Sequence, residues 1–485
     1  MPENQLQRSV TTSVARNLAT TSKTRPKMMS ITPRLLLHLL PWVQVDGGTY
    51  RVNRTKVELS RAERVETVQE PSGPSLAPGA LRGVPLFARL SDPLVDAIAA
   101  RFKAESEPLG ATLAVEGSGE AKFFVIAQGQ VEILSKGAHG SELRIALLTE
   151  GETFGETELL GGGKSEFTVR TLTPGAFLTL SRGDLDAALD AAPGFRPEFD
   201  RAVSEHRALL GSVNKYGERN IDLVSGFAEN IEIPETFVDY QAEPREYQLS
   251  AVQTVVRVHT RVSDLFNGPY DQLEEQLRLT IDGIKERQEW ELINSKKFGL
   301  LHSASRAQRI SSRYGTPTPD DLDELLTLVW KKPSFFLAHP KAIAAFGREC
   351  TWRGTPPPTV DVLGTPVITW RGVPIIPTDK LEIRSRYSSQ RWLGTTNILL
   401  VRVGESEQGV VGLHQMGIPG EIQPSLSARF MGTDNLGVSS YLLSLYSSLA
   451  VQTDDALAVL ENVEVGFYHD YEHREKEGFN FGLGI

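Results

Sequence analysis

Short apolar runs alternate with glycine-rich turns between residues 115 and 180. The apolar runs are 123–126, 131–134 and 144–148, and runs of this length between glycine turns are typical of β-strands. The segment 151–160 predicts a turn that leads into a short helix. Such a turn can offer backbone N–H groups to a phosphate, while a carboxylate accepts from a sugar hydroxyl. We therefore predict a small antiparallel β-roll that holds a phosphate and a ribose.

The sequence on both sides of the roll predicts a mixture of helices and strands. Apolar residues at helical spacing predict a long helix over 270–294 and flanking helices over 83–103 and 184–210. The other predicted helices cover 320–329 and 334–348. The predicted strands cover 236–262, 395–403, 408–413 and 454–468, with 395–403 and 408–413 paired as a hairpin; residues 355–369 predict a proline-rich loop followed by a strand, and 439–450 is an apolar segment. Because no β-α-β rhythm is present, the pattern predicts the α+β class.

Two segments of linker composition lie on either side of the roll and its helices. Residues 70–79 are rich in proline and glycine, and residues 217–234 form a second junction. We predict an arm and the first part of an extended loop over 1–75, an inserted domain over 76–212, and the remainder of the first domain over 213–485. A chain of 485 residues agrees with more than one domain.

Charge and cysteine content limit the class of partner and compartment. The net charge of −10 argues against a general nucleic-acid-binding protein, because phosphate contacts need clustered lysine and arginine. The single cysteine, Cys350, excludes an intrachain disulfide and a cysteine-based metal cluster, and it indicates a reducing compartment. No apolar run reaches the roughly 20 residues that cross a bilayer, so we predict no stable membrane insertion. The basic, Ser/Thr-rich start predicts a mobile arm with an apolar end over 35–43.

Two stretches that look like motifs are rejected as sites. The run 161–165 resembles a phosphate-binding P-loop, but Glu158 stands where that pattern needs its first glycine. The stretch 469–473 has the order of an inverted zinc-protease motif, whose chemistry needs a third ligand downstream, and only a short tail follows. We predict neither a catalytic constellation nor a metal site.

The roll and its flanking helices resemble the cyclic-nucleotide-binding domain, a double-stranded β-helix, over roughly residues 86–210. The resemblance rests on Phe-Gly-Glu at 154–156, Leu-Leu at 159–160 and Thr-Val-Arg at 168–170. It implies that the carboxylate of Glu156 binds the ribose 2′-hydroxyl and that Gly155 lets the backbone approach closely.

This sequence departs from that family at the phosphate. Ser165 stands where the family has its phosphate-binding arginine, and Lys164 stands where it has the preceding proline. A lysine ammonium would replace a bidentate guanidinium with a point charge. The implied ligand is cyclic AMP or cyclic GMP, no cofactor is required, and a roll that serves only as a contact module is the alternative. The candidate ligand-binding residues are Phe154, Gly155, Glu156, Thr157, Lys164 and Ser165.

The sequence outside the insert resembles the phage-capsid-like shell proteins called encapsulins. It is most similar to their second family, in the subgroup with a cyclic-nucleotide-binding-like insert. The stretches that carry the resemblance include Leu-Pro-Trp-Val at 40–43, Phe-Val-Asp-Tyr at 237–240, Phe-Phe-Leu-Ala-His-Pro at 335–340 and Gly-Val-Val-Gly-Leu at 409–413. The resemblance implies a phage major capsid-like fold with an arm, an extended loop, a spine helix and an axial domain.

The same resemblance implies a function. It implies an icosahedral homo-oligomeric shell in the cytoplasm that encloses a cargo enzyme and is not itself an enzyme. Terpene cyclases, polyprenyl-diphosphate synthases and cysteine desulfurases are the cargo classes of the family. A soluble cyclic-nucleotide-responsive regulatory protein is the alternative; it would need the missing arginine and, as a transcription factor, a basic helix-turn-helix that the sequence does not show.

Overall fold

The computed structural model describes residues 24–59, 64–70, 73–118, 122–136, 142–161, 164–214, 216–225, 233–259, 271–388 and 391–469. Two compact units are present. The inserted unit, residues 53–244, interrupts the discontinuous unit, which consists of residues 1–52 and 245–485. The chain therefore leaves the discontinuous unit once and returns to it once.

Both units contain helices and strands. The α-helices are α1 (Leu35–Leu39), α2 (Asp92–Ala99), α3 (Glu156–Gly161), α4 (Arg182–Leu189), α5 (Phe195–Ser212), α6 (Gln272–Asn294), α7 (Leu300–Ser303), α8 (Pro319–Leu328) and α9 (Pro340–Trp352). The strands up to the end of the roll are β1 (Trp42–Gln44), β2 (Thr49–Val52), β3 (Thr67–Glu70), β4 (Gly73–Leu76), β5 (Lys103–Glu107), β6 (Thr112–Ala114), β7 (Lys122–Gln128), β8 (Val131–Lys136), β9 (Glu142–Leu148), β10 (Thr153–Phe154), β11 (Thr168–Thr171) and β12 (Gly175–Ser181). The later strands are β13 (Arg245–Gln248), β14 (Ser250–His259), β15 (Arg309–Ser311), β16 (Phe335–Ala338), β17 (Thr359–Val362), β18 (Thr365–Trp370), β19 (Val373–Pro377), β20 (Arg384–Ser388), β21 (Arg391–Val401), β22 (Val410–His414), β23 (Glu421–Gln423), β24 (Leu426–Thr433), β25 (Val438–Val451) and β26 (Leu457–Glu464). This mixture confirms the predicted α+β class.

The inserted unit is built on a roll of two four-stranded antiparallel sheets. One sheet has the strand order β10-β7-β12-β5, and the other has the order β6-β11-β8-β9. Successive side chains of a strand point to opposite faces, and β7 is apolar on both. Phe124 and Ile126 join a cluster shared by strands of both sheets, whereas Phe123 and Val125 pack with α2, α4 and α5. Because both faces of β7 are buried, this strand is the centre of the inserted unit.

The inserted unit includes chain on both sides of the predicted domain 76–212. Val65 is buried among the helices of the unit, and its N–H donates to the carbonyl oxygen of Gly151 at 2.7 Å. Isolated β-bridges join Val57 to Glu218 and Thr55 to Tyr240. These contacts tie the entering and leaving chain together, so the compact unit is longer at both ends than the predicted domain. The domain boundaries drawn from the sequence stay a prediction.

The discontinuous unit contains two larger sheets. The six-stranded sheet has the order β1-β22-β25-β24-β23, with β14 also paired to β25. The eight-stranded sheet has the order β15-β26-β21-β16-β19-β18-β17, with β20 also paired to β21. The long helix α6 packs on the first sheet, where Ile284 joins Val256 and Leu443, and α8 and α9 pack on the second through Leu322 and Phe346. The long helix predicted over 270–294 is therefore confirmed as α6.

The N-terminal segment follows one side of α6. Thr32 donates from its backbone N–H and its hydroxyl to the carboxylate of Glu286, at 2.7 and 3.0 Å. The guanidinium of Arg34 donates to Asp282 Oδ1 at 3.1 Å. Immediately afterwards α1 buries Leu36 completely in a cluster that also contains residues of both sheets. The apolar end of the predicted arm thus packs within its own unit.

Several predicted elements are wrong in extent. The strand predicted over 236–262 begins only at β13, and the helix predicted over 83–103 is confined to α2. The helix predicted over 334–348 begins at Pro340, because the four buried residues before it form β16. The ring nitrogen Nδ1 of His339 accepts from the N–H of Lys341 at 3.0 Å and thereby caps α9. Proline at the first helical position and a capping side chain before it mark this start.

The hairpin predicted from 395–403 and 408–413 does not form. β21 lies in the eight-stranded sheet between β26 and β16, whereas β22 lies in the six-stranded sheet between β25 and β1. The predicted residues 395–401 pair with β26 and β16, and β22 pairs with β25 and β1, so neither strand pairs with the other along its length. The chain therefore crosses from one sheet to the other between Val401 and Val410.

Candidate functional site

The strand β10 holds the predicted ligand-binding turn on the roll. Phe154 is paired with Phe124 across β10 and β7, and the two rings stack with centroids 4.6 Å apart. Phe154 also packs against the cluster inside the roll. Its role in this structure is to position the residues that follow it.

Gly155 places the turn directly against the backbone of β7. It adopts a φ of +89°, which side-chain-bearing residues rarely adopt. A Cβ atom at this position would lie 2.1 Å from the carbonyl oxygen of Lys122. Its own carbonyl oxygen accepts from the N–H of Leu159 at 3.1 Å, which closes the first turn of α3. The close approach therefore requires glycine, as the sequence predicts.

Glu156, the first residue of α3, carries the polar group of the site. Its Oε1 atom is enclosed and has no hydrogen-bond partner among the described residues. Burial raises the pKa of the Glu156 carboxyl above its ordinary value. Buried polar atoms in folded proteins nearly always have a partner, so a buried acceptor without a donor fits a site completed by a ligand. Thr157 follows in α3, and its side chain lies outside the described part of the structure.

Ser165 and Lys164 occupy the position where the resemblance implies phosphate binding. Ser165 is buried, and its hydroxyl donates to the carbonyl oxygen of Phe167 at 2.9 Å. Its backbone N–H donates to the carbonyl oxygen of Ser118, and its carbonyl oxygen accepts from the N–H of Gly117. Lys164 is exposed. The Ser165 hydroxyl therefore donates its proton to the protein backbone.

The other cations near this part of the chain are paired with acidic groups. Arg170 lies 3.2 Å from Glu132 and 2.5 Å from Glu142, measured between guanidinium nitrogen and carboxylate oxygen. On β11, Val169 points into the roll, and the alternation of a strand directs Arg170 to the other face.

A second arginine binds the end of the short helix itself. Arg182 donates to the carbonyl oxygen of Leu159 at 2.6 Å and lies 3.4 Å from Asp186. Sequence reasoning missed this contact, although Arg182 lies two residues before the helix predicted over 184–210. A cation that satisfies carbonyl oxygens at a helix C-terminus stabilises that helix.

Two other sequence candidates have structural roles here. His469 Nε2 lies 2.9 Å from Glu349 Oε2, and its ring stacks on Trp352 with centroids 4.5 Å apart. His473, the other histidine of the rejected zinc motif, lies outside the described residues. Cys350 is buried, and burial raises the pKa of its thiol to about 11, which makes it a poor nucleophile.

Among the described residues, no cluster of His, Cys, Asp and Glu side chains could hold a metal ion. None of the described helices combines the length and hydropathy needed to cross a membrane.

Two protein families match this sequence, each over a different part of the chain. Residues 206–467 match "Type 2A encapsulin shell protein SrpI-like", and residues 106–192 match "Cyclic nucleotide-binding domain". The type 2A encapsulin shell protein SrpI of Synechococcus elongatus is 62% identical over 242 residues, which are 50% of this chain and 76% of that protein. A type 2A encapsulin shell protein of Mycolicibacterium paratuberculosis is 55% identical over 240 residues, again 50% of this chain and 76% of that protein.

A solved structure is similar to nearly the whole chain. The cryo-EM structure of the holo-SrpI encapsulin complex from Synechococcus elongatus PCC 7942 aligns with a TM-score of 0.54 and 37% sequence identity. The alignment covers 96% of this chain and 99% of that chain.

Proposed function

Because this chain belongs to the SrpI-like family of type 2A encapsulin shell proteins and carries an added cyclic nucleotide-binding domain, we propose that many copies of it assemble into an icosahedral shell that encloses a cargo enzyme. The observation that carries the proposal is the similarity to an encapsulin complex over 96% of the chain. We propose that the shell is a cytoplasmic nanocompartment. In this proposal the chain itself is structural and catalyses no reaction.

Exposed apolar side chains of the discontinuous unit support assembly. Phe430 and Met431 of β24 are each 60% exposed, and Leu436 in the next turn is 50% exposed. β23 stands at one end of its sheet and β17 at one end of the other, and no described strand pairs with the outer edge of either. Contacts between identical subunits would bury such side chains and cover such edges.

The cargo in this proposal is a protein and not a nucleic acid. A net charge of −10 on every subunit repels a packaged polyanion. The resemblance noted above suggests a terpene cyclase, a polyprenyl-diphosphate synthase or a cysteine desulfurase as the enclosed enzyme. Mass spectrometry of proteins that stay in the particle fraction after high-salt washing would identify which class applies.

We propose that the inserted unit is displayed on the outer surface of the shell. Its two connections follow β2 and precede β13, which are paired antiparallel with Val52 opposite Arg245. Two chain ends that lie side by side accommodate an inserted domain without disturbing the host. On the outer surface the bulk of the insert would meet no neighbouring subunit. In this arrangement Gly155 and Glu156 form its ligand site.

The purified protein should form hollow closed particles. We expect a megadalton peak in size-exclusion chromatography and round, regular particles in negative-stain electron micrographs, because the family similarity extends through the discontinuous unit. The absorbance ratio of that peak should be that of protein without nucleic acid. A dimer as the largest species would contradict the proposal and favour the alternative of a cyclic-nucleotide-responsive regulatory protein, to which the match over residues 106–192 points.

Removal of the inserted unit should leave assembly intact. In the sharpest variant, residues 53–244 are replaced by Asn-Gly, which joins the paired residues Val52 and Arg245 by a two-residue hairpin turn. A matched variant deletes only 76–212 and joins the ends with a flexible linker. Both should give closed particles by electron microscopy. If both variants are folded by circular dichroism and neither assembles, the inserted unit is part of the shell contacts and external display is wrong.

A further inference from the structure

Glu156 presents an acceptor that the described protein leaves empty. Oε1 is enclosed, no described residue forms a hydrogen bond with it, and burial raises the pKa of this carboxyl. Among the described side chains no cation offsets that burial. A hydroxyl donor of a bound ligand would satisfy this acceptor, whereas a further negative charge would be repelled by the Glu156 carboxylate.

Two described cations of the roll, Arg170 and Lys122, are paired with carboxylates other than Glu156. Arg170 is held between Glu132 and Glu142 on the outer face of its strand. Lys122, whose carbonyl oxygen faces Gly155, directs its ammonium to within 4.0 Å of Glu105. A phosphate bound beside Glu156 would thus bring a second anion near a buried carboxylate, without a described cation in place between them.

The hydroxyl of Ser165 cannot replace a cation in binding a phosphate. Phosphate oxygens accept hydrogen bonds, and the Ser165 hydroxyl proton is donated to Phe167. Lys164 beside it is exposed to solvent, where a point charge is hydrated and screened.

We propose that the site formed by Gly155 and Glu156 binds the hydroxyl groups of an uncharged sugar or nucleoside and discriminates against the same molecule when it carries a phosphate. This inference rests on the proposed ligand site of the inserted unit and assigns its ligand class. Gly155 lets the ligand approach the backbone, and Glu156 accepts from its hydroxyl groups. Adenosine and D-ribose are the two probes, since they separate a nucleoside ligand from a free sugar.

Isothermal calorimetry on the full-length protein compares adenosine, 2′-deoxyadenosine, D-ribose and cyclic AMP. Adenosine should bind at least about tenfold more tightly than cyclic AMP, because the cyclic phosphate adds an unpaired anion near Glu156. The 2′-deoxy compound should lose about tenfold, the cost of leaving a buried acceptor without its donor. Binding of D-ribose as tight as that of adenosine would assign a free sugar, and weaker binding would assign a nucleoside.

Variants test the reason for this preference. Glu156→Gln keeps the shape of the side chain and removes its charge. The affinity for adenosine should therefore fall, and the difference in affinity between adenosine and cyclic AMP should become smaller. Ser165→Arg should reverse the preference in favour of cyclic AMP, because a guanidinium binds phosphate bidentately. Glu205→Gln removes a carboxylate on the exposed side of α5 and should change neither affinity.

The outcomes separate the ligand class from the ligand site. Tighter binding of cyclic AMP than of adenosine by the unaltered protein overturns the ligand class and leaves the site in place. Absence of binding by all four compounds, in the unaltered protein and in Ser165→Arg, overturns the site and the inference together. Size-exclusion chromatography of every sample reports shell assembly independently, so failure of the shell proposal is recognised on its own.

Discussion

Replacing Arg402 by methionine should lower the free energy of unfolding by about 3 kcal/mol, the low end of the range for breaking a buried ion pair. Arg402 is 1% exposed and directly follows β21. Its guanidinium donates to Asp455 Oδ1 at 2.7 Å and to the hydroxyl of Thr453 at 2.9 Å. Methionine fills a similar volume but leaves the Asp455 carboxylate buried with fewer donors.

The side chains of Arg402, Thr453 and Lys331 form a cluster around Asp455 that strongly favours the ionised form of its carboxyl. Burial alone would raise the pKa of Asp455, but hydrogen bonds from Arg402, Lys331 and Thr453 outweigh burial and hold the pKa well below its ordinary value. Lys331 remains in the Arg402→Met variant, with its ammonium 2.8 Å from Asp455 Oδ2. For this reason we expect the lower end of the range.

Urea unfolding followed by tryptophan fluorescence measures the loss in free energy of unfolding. The protein concentration must be the same in all samples, because assembly itself adds to stability. The control is Lys332→Met, which removes an exposed ion pair with Glu407 and should cost no more than about 1 kcal/mol. Adding Asp455→Leu to Arg402→Met should recover part of the loss, because the unpaired carboxylate is removed as well. An Arg402→Met variant as stable as Lys332→Met would show that the cluster does not stabilise the unit.

The corner at Arg402 also shows where sequence reasoning stops. Residues 395–403 and 408–413 have the pattern of two strands close in sequence, and neighbouring strands usually pair. Over these residues the first strand pairs with β26 and β16, and the second pairs with β25 and β1, which come from distant parts of the chain. Pairing over long separations depends on the whole packing arrangement, which local alternation of apolar residues does not contain.

The roll could be predicted because its signals are local. The predicted runs 123–126, 131–134 and 144–148 lie inside β7, β8 and β9, since each strand is apolar and ends at a turn. Gly155 and Glu156 could be predicted for the same reason, as one short motif contains both. That Glu156 Oε1 has no hydrogen-bond partner among the described residues could not be predicted, because this depends on how strands distant in the sequence surround it.

One charged surface was visible in the sequence and was missed. Asp282, Glu286 and Glu289 are spaced four and three residues apart and so share one side of α6. The helix was predicted from its apolar residues alone, and these do not indicate what its acidic side contacts. The partners of the acidic side are residues 32–36 of the arm, more than 240 positions away, as the separations of 248 and 254 residues show.

Glu289 makes the contact between the arm and α6 sensitive to pH. The side chain is 2% exposed, and Oε1 accepts from the N–H of Leu36 at 3.1 Å, near the start of α1. Burial raises the pKa of Glu289 from 4.5 to about 7. The N–H of Leu36 and the ammonium of Lys380 act in the opposite direction, and the carboxylates of Glu286 and Asp379 add to the increase.

The Glu289→Gln variant should therefore become more stable than the unaltered protein as the pH rises. A group whose pKa is raised by folding contributes stability that is present below about pH 4.5 and is lost as the pH passes about 7. The difference of 2.5 between the pKa values of 4.5 and about 7 corresponds to about 3 kcal/mol at full ionisation. Glutamine stays neutral and still offers an oxygen to Leu36, so the difference in free energy of unfolding between the two proteins should grow from near zero at about pH 4 to about 3 kcal/mol at about pH 8.5.

Urea unfolding of both proteins across this pH range measures the gap directly, because all other titrating groups are shared and cancel in the difference. Glu291→Gln is the matched control on the same helix. It removes a partly exposed carboxylate paired with Arg287, and the change in stability should not exceed about 0.5 kcal/mol. A gap between Glu289→Gln and the unaltered protein that stays constant with pH would show that Glu289 is ionised throughout and that the arm is held by charge. A gap that grows with pH would mean that the arm binds α6 most tightly when this carboxyl is protonated.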